Sequence, residues 1–402
     1  MRLLHTSDWH IGNNLYGKNR YNEYEKFLNW MQLTIKEKSI DILLISGDIF
    51  DTTNPSNKAS ELYFDFLYNV AKDGVCKHIV ITAGNHDSVS FLEAPKEILK
   101  FLNIYVVANI DDITKEVLKL KVGKEEIIIC AVPFLRDREL REVSYGENLQ
   151  EREEKLIYGI KKHYQDIANY AIKLKDSSQK IIAMGHMFVT GENTKVGDGV
   201  RELYVGNISN VGVDIFSEAF DYVALGHLHI PQSVSGKEYI RYSGSPLAMG
   251  FNEANQQKSI TILDIEDKIN ISTLDVPKFQ ELEQIKGDLE YIKQRLTQLK
   301  NSDKPIWVEI IYEEDTIPGD LNRILNDYIQ NSKIEILRIK SKKFTNKSLK
   351  RDYDITLQDL SVYEVFDKCL EYYEVDLEQR NELKELYKEV VIALEQKDIN
   401  NF

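Results

Sequence analysis

Eight side chains stand where short apolar runs of this 402-residue sequence end: Asp8, His10, Asp48, Asn85, His86, His186, His227 and His229. Together they form a mixed oxygen and nitrogen donor set. The segment "ITAGNHDS", residues 81 to 88, shows the pattern at its densest, with a β-branched run, a glycine, and then an amide, an imidazole and a carboxylate. Related figures are "RLLHTSDWH", "DILLISGDIFD", "KIIAMGHM" and "DYVALGHLH". Asp8 and His10, like His227 and His229, are two residues apart, so on an extended segment each pair points to one side. Histidine, carboxylate and amide ligands with no cysteine among them suit borderline or hard divalent ions such as manganese, iron or zinc. Seven ligands serve two ions if one carboxylate bridges them. A single histidine such as His186 is more often a satisfied core or surface residue; the specificity lies in the combination at five strand ends.

The elements that must position these groups follow from the apolar pattern. Continuous runs of Ile, Val and Leu read as strands buried on both faces. Amphipathic stretches of helical length, "EYEKFLNWMQLTIKEK" and "KASELYFDFLYNVAKD", separate the first three runs. That alternation predicts an α/β layer with a largely parallel sheet, whose ligand crevice lies beyond the carboxyl ends of the strands. Gly47, Gly84, Gly185 and Gly226 immediately precede candidate ligands, where a residue without Cβ lets the backbone turn sharply. From about Glu125 to Val276, "EEIIICAVPF", "KEYIRYSGSP", "KSITILDI" and "KINISTLDV" predict a mixed or antiparallel second sheet. Between them, Arg136 to Asp176 reads as a loop followed by one long helix, and "GDGVREL" near Gly197 as a plain loop. His5 is expected in the core, His78 and His163 on the surface. Ser88 and Ser90 have no spare His–Asp pair to activate them, which argues against a serine nucleophile.

The chain is long for a single hydrophobic core, so two or more domains are expected. Its 43% hydrophobic and 29% charged content is that of a soluble globular protein. The sequence has no apolar stretch of membrane-spanning length and the start, "MRLLHTSDWH", does not read as a signal peptide, so a cytosolic location is expected. Three separated cysteines argue against a disulfide framework. The net charge of −14 speaks at first sight against nucleic acid. However, Asp352 to Phe402 holds 14 acidic and 5 basic side chains, and "RIKSKKFTNKSLKR" from Arg338 to Arg351 has seven basic residues and no acidic ones. Overall sign therefore decides little. Near Pro277 the organisation changes: a helix from about Leu282 to Lys300, then "PIWVEIIY", "DLNRILNDYIQ" and "KIEILRIK" predict a small α/β module. The basic run reads as a linker, and two amphipathic helices follow, the first with a capping box at Ser361 and Glu364. Their apolar stripes pack on the chain's own domains or on a partner.

"DWH", "GDIFD", "GNHD", "GHM" and "GHLH", in this order, resemble the five-part signature of the calcineurin-like metallophosphoesterases. Within that superfamily, "TSDWHIGNNLYGKNRYNEYEKFL", "GDIFDTTNPS" and "YSGSP" resemble the bacterial SbcD family, the nuclease subunits of SbcCD complexes. The resemblance implies an α/β (α+β) fold: a four-layer αββα sandwich over residues 1–276, a small α/β capping domain over 277–340, a basic linker over 341–354 and C-terminal helices over 355–402. It implies one ion held by Asp8, His10 and His229 and another by Asn85, His186 and His227, with Asp48 bridging. The expected cofactor is a pair of manganese ions, with magnesium, iron or zinc as alternatives. His86 and Asp51 are implied as the catalytic residues: His86 contacts the scissile phosphate, and Asp51, an aspartate in bacterial SbcD proteins where archaeal and eukaryotic relatives commonly carry histidine, supports the site or caps the turn. Asp87 is read as bonding backbone amides at the turn or orienting His86. The implied partners are DNA, an SbcC-type coiled-coil ATPase docked on the C-terminal helices, and a second copy of the chain, in the bacterial cytoplasm at the nucleoid. The implied reaction is 3′-5′ double-strand exonuclease and single-strand or hairpin endonuclease cleavage. A small-molecule phosphatase or cyclic-nucleotide phosphodiesterase is the alternative.

Overall fold

The apolar runs that precede the candidate ligands fold as strands with both faces covered. In β1 (Arg2–Thr6), Leu3 and Leu4 enter different buried clusters, as the two-residue period of a strand requires. After a short hairpin of β2 (Asn14–Leu15) and β3 (Lys18–Asn19) come α1 (Tyr21–Glu37), β4 (Ile42–Ser46), α2 (Asn57–Asp73) and β5 (His78–Thr82). In β4, Ile42 and Leu44 face one cluster and Leu43 and Ile45 the other. Burying such a side chain contributes roughly 1.5–3 kcal/mol, so a charge anywhere in this strand would be costly. The computed structural model describes residues 1–140, 148–176, 178–189, 211–314 and 320–341, and six positions beyond them: Phe366, Leu370, Arg380, Leu383, Lys384 and Tyr387.

The short helices α3 (Val89–Glu93) and α4 (Lys96–Lys100) lead to β6 (Ile104–Val107), α5 (Ile113–Glu116), β7 (Val117–Val122), β8 (Glu125–Ala131) and α6 (Asp137–Leu140). The expected long helix is α7 (Leu149–Leu174), started by a capping box in which Asn148 and Glu151 satisfy each other's backbone amides. Then come β9 (Lys180–His186), β10 (Tyr222–Gly226), β11 (Gln232–Val234), β12 (Lys237–Tyr242), β13 (Ser259–Ile265) and β14 (Ile269–Asp275). "GDGVREL" lies outside the described residues.

Two six-stranded sheets result, in the orders β14-β13-β1-β4-β5-β6 and β11-β12-β10-β9-β8-β7. In the first, β1, β4, β5 and β6 are parallel. In the second, β8, β9, β10 and β12 are parallel, with β7 and β11 antiparallel at the edges. One core joins Leu3, Ile42 and Val80 of the first sheet to Ile129, Ile182 and Ala224 of the second, so the sheets pack face to face. Helices α1 and α2 cover the outside of one sheet and α7 the outside of the other. This is the αββα sandwich implied by the resemblance.

One expectation is corrected here. "KSITILDI" and "KINISTLDV" form β13 and β14, which extend the first sheet antiparallel beside β1 rather than joining the second. Local pattern identifies them as strands, but the edge they pair with is chosen by chain-distant contacts.

The region after Pro277 holds β15 (Glu281–Gly287), α8 (Leu289–Leu299), β16 (Ile306–Tyr312), α9 (Leu321–Tyr328) and β17 (Ile334–Ser341), with a sheet in the order β15-β16-β17. The helix expected from Leu282 therefore starts seven residues later, at Leu289. Leu282 and Ile285 have helical spacing, but they lie on a strand and enter two different clusters. The module's small core includes Ile285, Ile292, Leu296, Val308 and Ile310. A second cluster, of Leu15, Phe251, Ala254, Leu282 and Trp307, fastens it to the sandwich. Tyr16 stacks on Phe251 at 5.7 Å, and the Arg338 guanidinium lies 4.6 Å from the centre of the Tyr16 ring. Residues 1–340 accordingly form one compact unit and 341–402 another.

The basic run begins inside β17: Arg338 and Lys340 both face the buried Glu309 carboxylate, at 3.8 and 2.8 Å. Residues 342–354 lie outside the described residues, as do most of 355–402. Beyond β17 the six described positions are helical, Leu370 is buried, and Phe366 and Tyr387 stack with ring centres 3.9 Å apart. His5 is a core residue bonded to the Tyr222 hydroxyl at 3.0 Å. His78 is half-buried on the Lys121 carbonyl. His163 departs from expectation: it is 10% exposed and 2.8 Å from the buried Glu116 carboxylate, which needs a partner when removed from water.

Candidate metal centre

Strands β1, β4 and β5 are parallel neighbours in one sheet, and β9 and β10 are parallel neighbours in the other. Their carboxyl ends therefore open on the same side, and the loops that follow bring all the expected groups together. The backbone there is strained. Asp8, His10, Asp48 and His227 have φ of 53°, 49°, 50° and 103°, a region costing non-glycine residues about 1–3 kcal/mol each. Cross-loop bonds hold it: Asp8 N–H donates to the Gly47 carbonyl, His10 N–H to Asp48 and Ile11 N–H to Ile49, at 2.9–3.0 Å. His227 N–H donates to the Asp8 carboxylate at 2.9 Å, which joins the two sheets.

Two glycines make the approach possible. A Cβ on Gly84 would lie 2.1 Å from Asp48 Oδ1, and one on Gly226 would lie 1.9 Å from the Ser46 carbonyl oxygen. Asp87 accepts backbone N–H groups from Gly84 at 2.8 Å, Phe50 at 3.0 Å and Ile49 at 3.2 Å. It bonds backbone amides, as expected, but across two loops rather than within one turn. Burial, and next the nearby Asp48 charge, push its carboxyl up to about 6 against those three donors.

The side chains converge in overlapping sets. Ligand atoms of Asp8, His10 and His229 lie within 4.8 Å of one another, as do those of Asp8, Asp48 and His186, and those of His10, Asp48 and His86. The Asn85 amide oxygen sits 3.0 Å from His186 Nε2 and 3.1 Å from His227 Nδ1. Asp48 Oδ2 lies 3.5 Å from His10 Nε2 and 3.3 Å from His186 Nε2, between the two sets. Asp51 stands at the side: its Oδ1 faces His10 Nδ1 at 3.5 Å, and its backbone carbonyl accepts from His86 Nδ1 at 2.9 Å. Its side chain thus lies beside His10 and its backbone carbonyl beside His86.

These residues fit bound cations. His10 Nε2 and His229 Nε2 lie 3.2 Å apart, so at most one can carry a proton between them, and buried lone pairs converge with few donors to meet them. Burial raises the Asp8 carboxyl. At His186, burial lowers the imidazole, but the charge and hydrogen bond of Asp48 outweigh it and bring it to about 9. The cluster thus draws positive charge inward. His227, lowered to about 3 by burial and then by His186, stays neutral as a ligand must.

Glu253 and Lys258, neither of them singled out by the sequence pattern, stand behind His229. Glu253 Oε1 faces His229 Nδ1 at 3.7 Å, while Oε2 accepts from Lys258 Nζ at 2.7 Å and from Met249 N–H at 2.9 Å. Lys258 also donates to the His229 carbonyl at 3.0 Å. Burial raises the Glu253 carboxyl, but His229 and Lys258 outweigh it and hold it down at about 2. In the sequence the pair sits in "FNEANQQK", which has no apolar run or glycine to distinguish it from surface charge.

Residues 1–231 match the family model described as calcineurin-like phosphoesterase, and residues 278–374 match the type 5 capsule protein repressor C-terminal domain, SbcD_C. A curated Escherichia coli protein, the SbcD subunit of nuclease SbcCD, is 34% identical over 393 residues, covering 96% of this chain and 97% of that one. Proteins of the same name from Rhodobacter capsulatus and Bacillus subtilis are 32% and 33% identical, each match covering 66% of both chains. With the sandwich and the converged donor set, these matches place the chain in the calcineurin-like metallophosphoesterase superfamily and, within it, in the SbcD family of SbcCD nuclease subunits.

Proposed function

We propose that the chain is a metal-dependent DNA nuclease, a hydrolase that cleaves phosphodiester bonds as the SbcD subunit of an SbcCD-type complex. The observation that carries this reading is the convergence of Asp8, His10, Asp48, Asn85, His186, His227 and His229 from five strand ends, with His86 at its edge. Asp8, His10 and His229 would hold one ion, and Asn85, His186 and His227 the other, with Asp48 shared; manganese is the ion proposed. When bound, such a pair supplies Lewis acidity and an activated water for in-line displacement at phosphorus.

The chain's own residues do the rest. His86 Nδ1 donates to the Asp51 carbonyl at 2.9 Å, and its backbone N–H donates to Asp48 Oδ1 at 2.9 Å. The ring is thereby fixed with Nδ1 protonated, and Nε2 is the nitrogen that exchanges a proton with substrate. From there it can stabilise charge on a phosphate oxygen and protonate the leaving alkoxide. Asn85 contributes an oxygen without negative charge, which keeps an anionic substrate from being repelled. His186 Nδ1 donates to the Ser46 carbonyl at 2.9 Å, so Nε2 is the nitrogen that would give up its proton to a cation in the site.

The proposed organisation is a phosphoesterase domain over 1–276, a capping domain over 277–340 that shapes DNA access, a linker over 341–354 and a helical segment over 355–402 that docks on an SbcC-type ATPase. The stacked Phe366 and Tyr387 support apolar helices there. Ile98 and Phe101, 72% and 89% exposed, support a homodimer through the phosphoesterase domain. The proposed location is the bacterial cytoplasm; among the described residues no helix is long and apolar enough to cross a membrane.

The test compares the protein with its His86→Gln variant on duplex DNA, hairpin DNA and p-nitrophenyl phosphate esters, with manganese, magnesium or chelator. Manganese-dependent DNA cleavage that falls about 10²–10⁴-fold in the variant, with metal binding retained, is expected. Ester hydrolysis without DNA cleavage, even with an SbcC-type ATPase added, would overturn the nuclease reading in favour of a phosphatase.

A further inference from the structure

We propose that Glu253, held by Lys258, is the positioning residue that sets the tautomer of His229 and so makes its Nε2 a metal ligand. This inference deepens the metal-centre reading and rests on it.

The two nitrogens of His229 face opposite surroundings. Nε2 points into the cluster, 3.2 Å from His10 Nε2. Nδ1 points at Glu253 Oε1, and among the described residues neither of these two buried atoms has a hydrogen-bond partner. Their 3.7 Å separation exceeds a hydrogen bond, and each is the titratable atom nearest the other's open side. The carboxylate cannot turn away, because Oε2 is fixed by the Lys258 ammonium and the Met249 amide. It can offer Nδ1 only an acceptor, so the ring's proton resides on Nδ1 and the Nε2 lone pair is available. The carboxylate also makes the imidazole a stronger donor, the usual effect of a carboxylate behind a metal-binding histidine. Lys258 balances the buried charge, and its bond to the His229 carbonyl ties the same lysine to the backbone that carries the ring.

Glu253→Gln turns this logic around. The Gln oxygen must serve the two donors, Lys258 and Met249 N–H, which leaves its NH₂ facing Nδ1. The ring is then driven to the Nε2–H tautomer, which cannot bind a metal at Nε2.

The experiment titrates Mn²⁺ into the metal-free full-length protein by calorimetry and records ¹⁵N-histidine spectra of the same samples, with the His229 signal identified by its loss in His229→Gln. In the native protein the His229 signal is expected to show Nδ1–H, and in Glu253→Gln it is expected to show Nε2–H. One Mn²⁺ equivalent should weaken by about 10–100-fold in that variant, while the other is retained. A folded Glu253→Gln protein with unchanged tautomer and unchanged affinity for both equivalents would overturn the proposal. If Glu253→Gln does not fold, the double variant Glu253→Met/Lys258→Met removes both buried charges together. Loss of affinity at one equivalent is expected there too, and native affinity at both would overturn the proposal. A native protein that binds no Mn²⁺ would instead sink the metal-centre reading, while the tautomer spectra would still decide the role of Glu253.

Discussion

The two sides of the metal centre are supported by different chemistry. His10 and His229 turn their outer nitrogens to carboxylates, Asp51 at 3.5 Å and Glu253 at 3.7 Å. His186 and His86 turn theirs to backbone carbonyls, those of Ser46 and Asp51, both at 2.9 Å. A carbonyl fixes which nitrogen carries the proton. A carboxylate does that and adds negative charge, which strengthens the imidazole as a ligand. In the proposed two-ion arrangement the ions would not be held equally: the carboxylate-backed imidazoles on the side of Asp8, His10 and His229 would favour the tighter ion, and the side of Asn85, His186 and His227 would hold the more exchangeable one. Asn85, a neutral donor, lies on the latter side.

The comparison can be broken most severely at its shared member. Asp48 lies between His10 and His186 and also receives the His86 amide. Asp48→Asn should weaken both Mn²⁺ equivalents, by about 100-fold or more if the loss follows the scale of supporting-residue changes, read by calorimetric titration. Selective loss of one equivalent would show that Asp48 is not shared. A smaller and one-sided effect is expected from Gly226→Ala, whose added methyl carbon would stand 1.9 Å from the Ser46 oxygen and 2.8 Å from His186 Nδ1. Overpacking of this kind costs about 1–3 kcal/mol, so thermal unfolding should come earlier and the carbonyl-supported ion should be lost first. The smallest effect should come from Asp51→Asn, because that side chain is 30% exposed and water can replace part of its contact. About tenfold weaker binding of the carboxylate-supported ion is expected; no change would reduce the contrast to Glu253 alone.

Much of this centre was legible before folding was considered. Asp8, His10, Asp48, Asn85, His86, His186, His227 and His229 each stand at or just beyond the end of a buried strand, and strands buried on both faces are visible as unbroken apolar runs. Gly84 and Gly226 were legible as turns, but the structure gives them a second reason, the close approach of Asp48 and Ser46. Glu253 and Lys258 were not legible. Their spacing in "FNEANQQK" is that of many solvated polar loops, and only the packing of β13 beside β1 brings Lys258 under His229. His163 failed as a surface residue for the same reason: its partner Glu116 is 47 residues away.

By itself, then, the sequence determined the elements and the chemistry: which runs are strands, where each turns, and which donors stand at the turns. These are local properties, set by side-chain periodicity, by the absence of Cβ at particular glycines and by the identity of the ligating atoms. Only the tertiary structure decided that β13 and β14 complete the first sheet and that residues 281–287 are strand rather than helix. It also decided which acid stands behind which imidazole. Those outcomes depend on pairing between segments far apart in the chain, where the energy of an edge or a buried charge is settled by whatever the rest of the fold places opposite it.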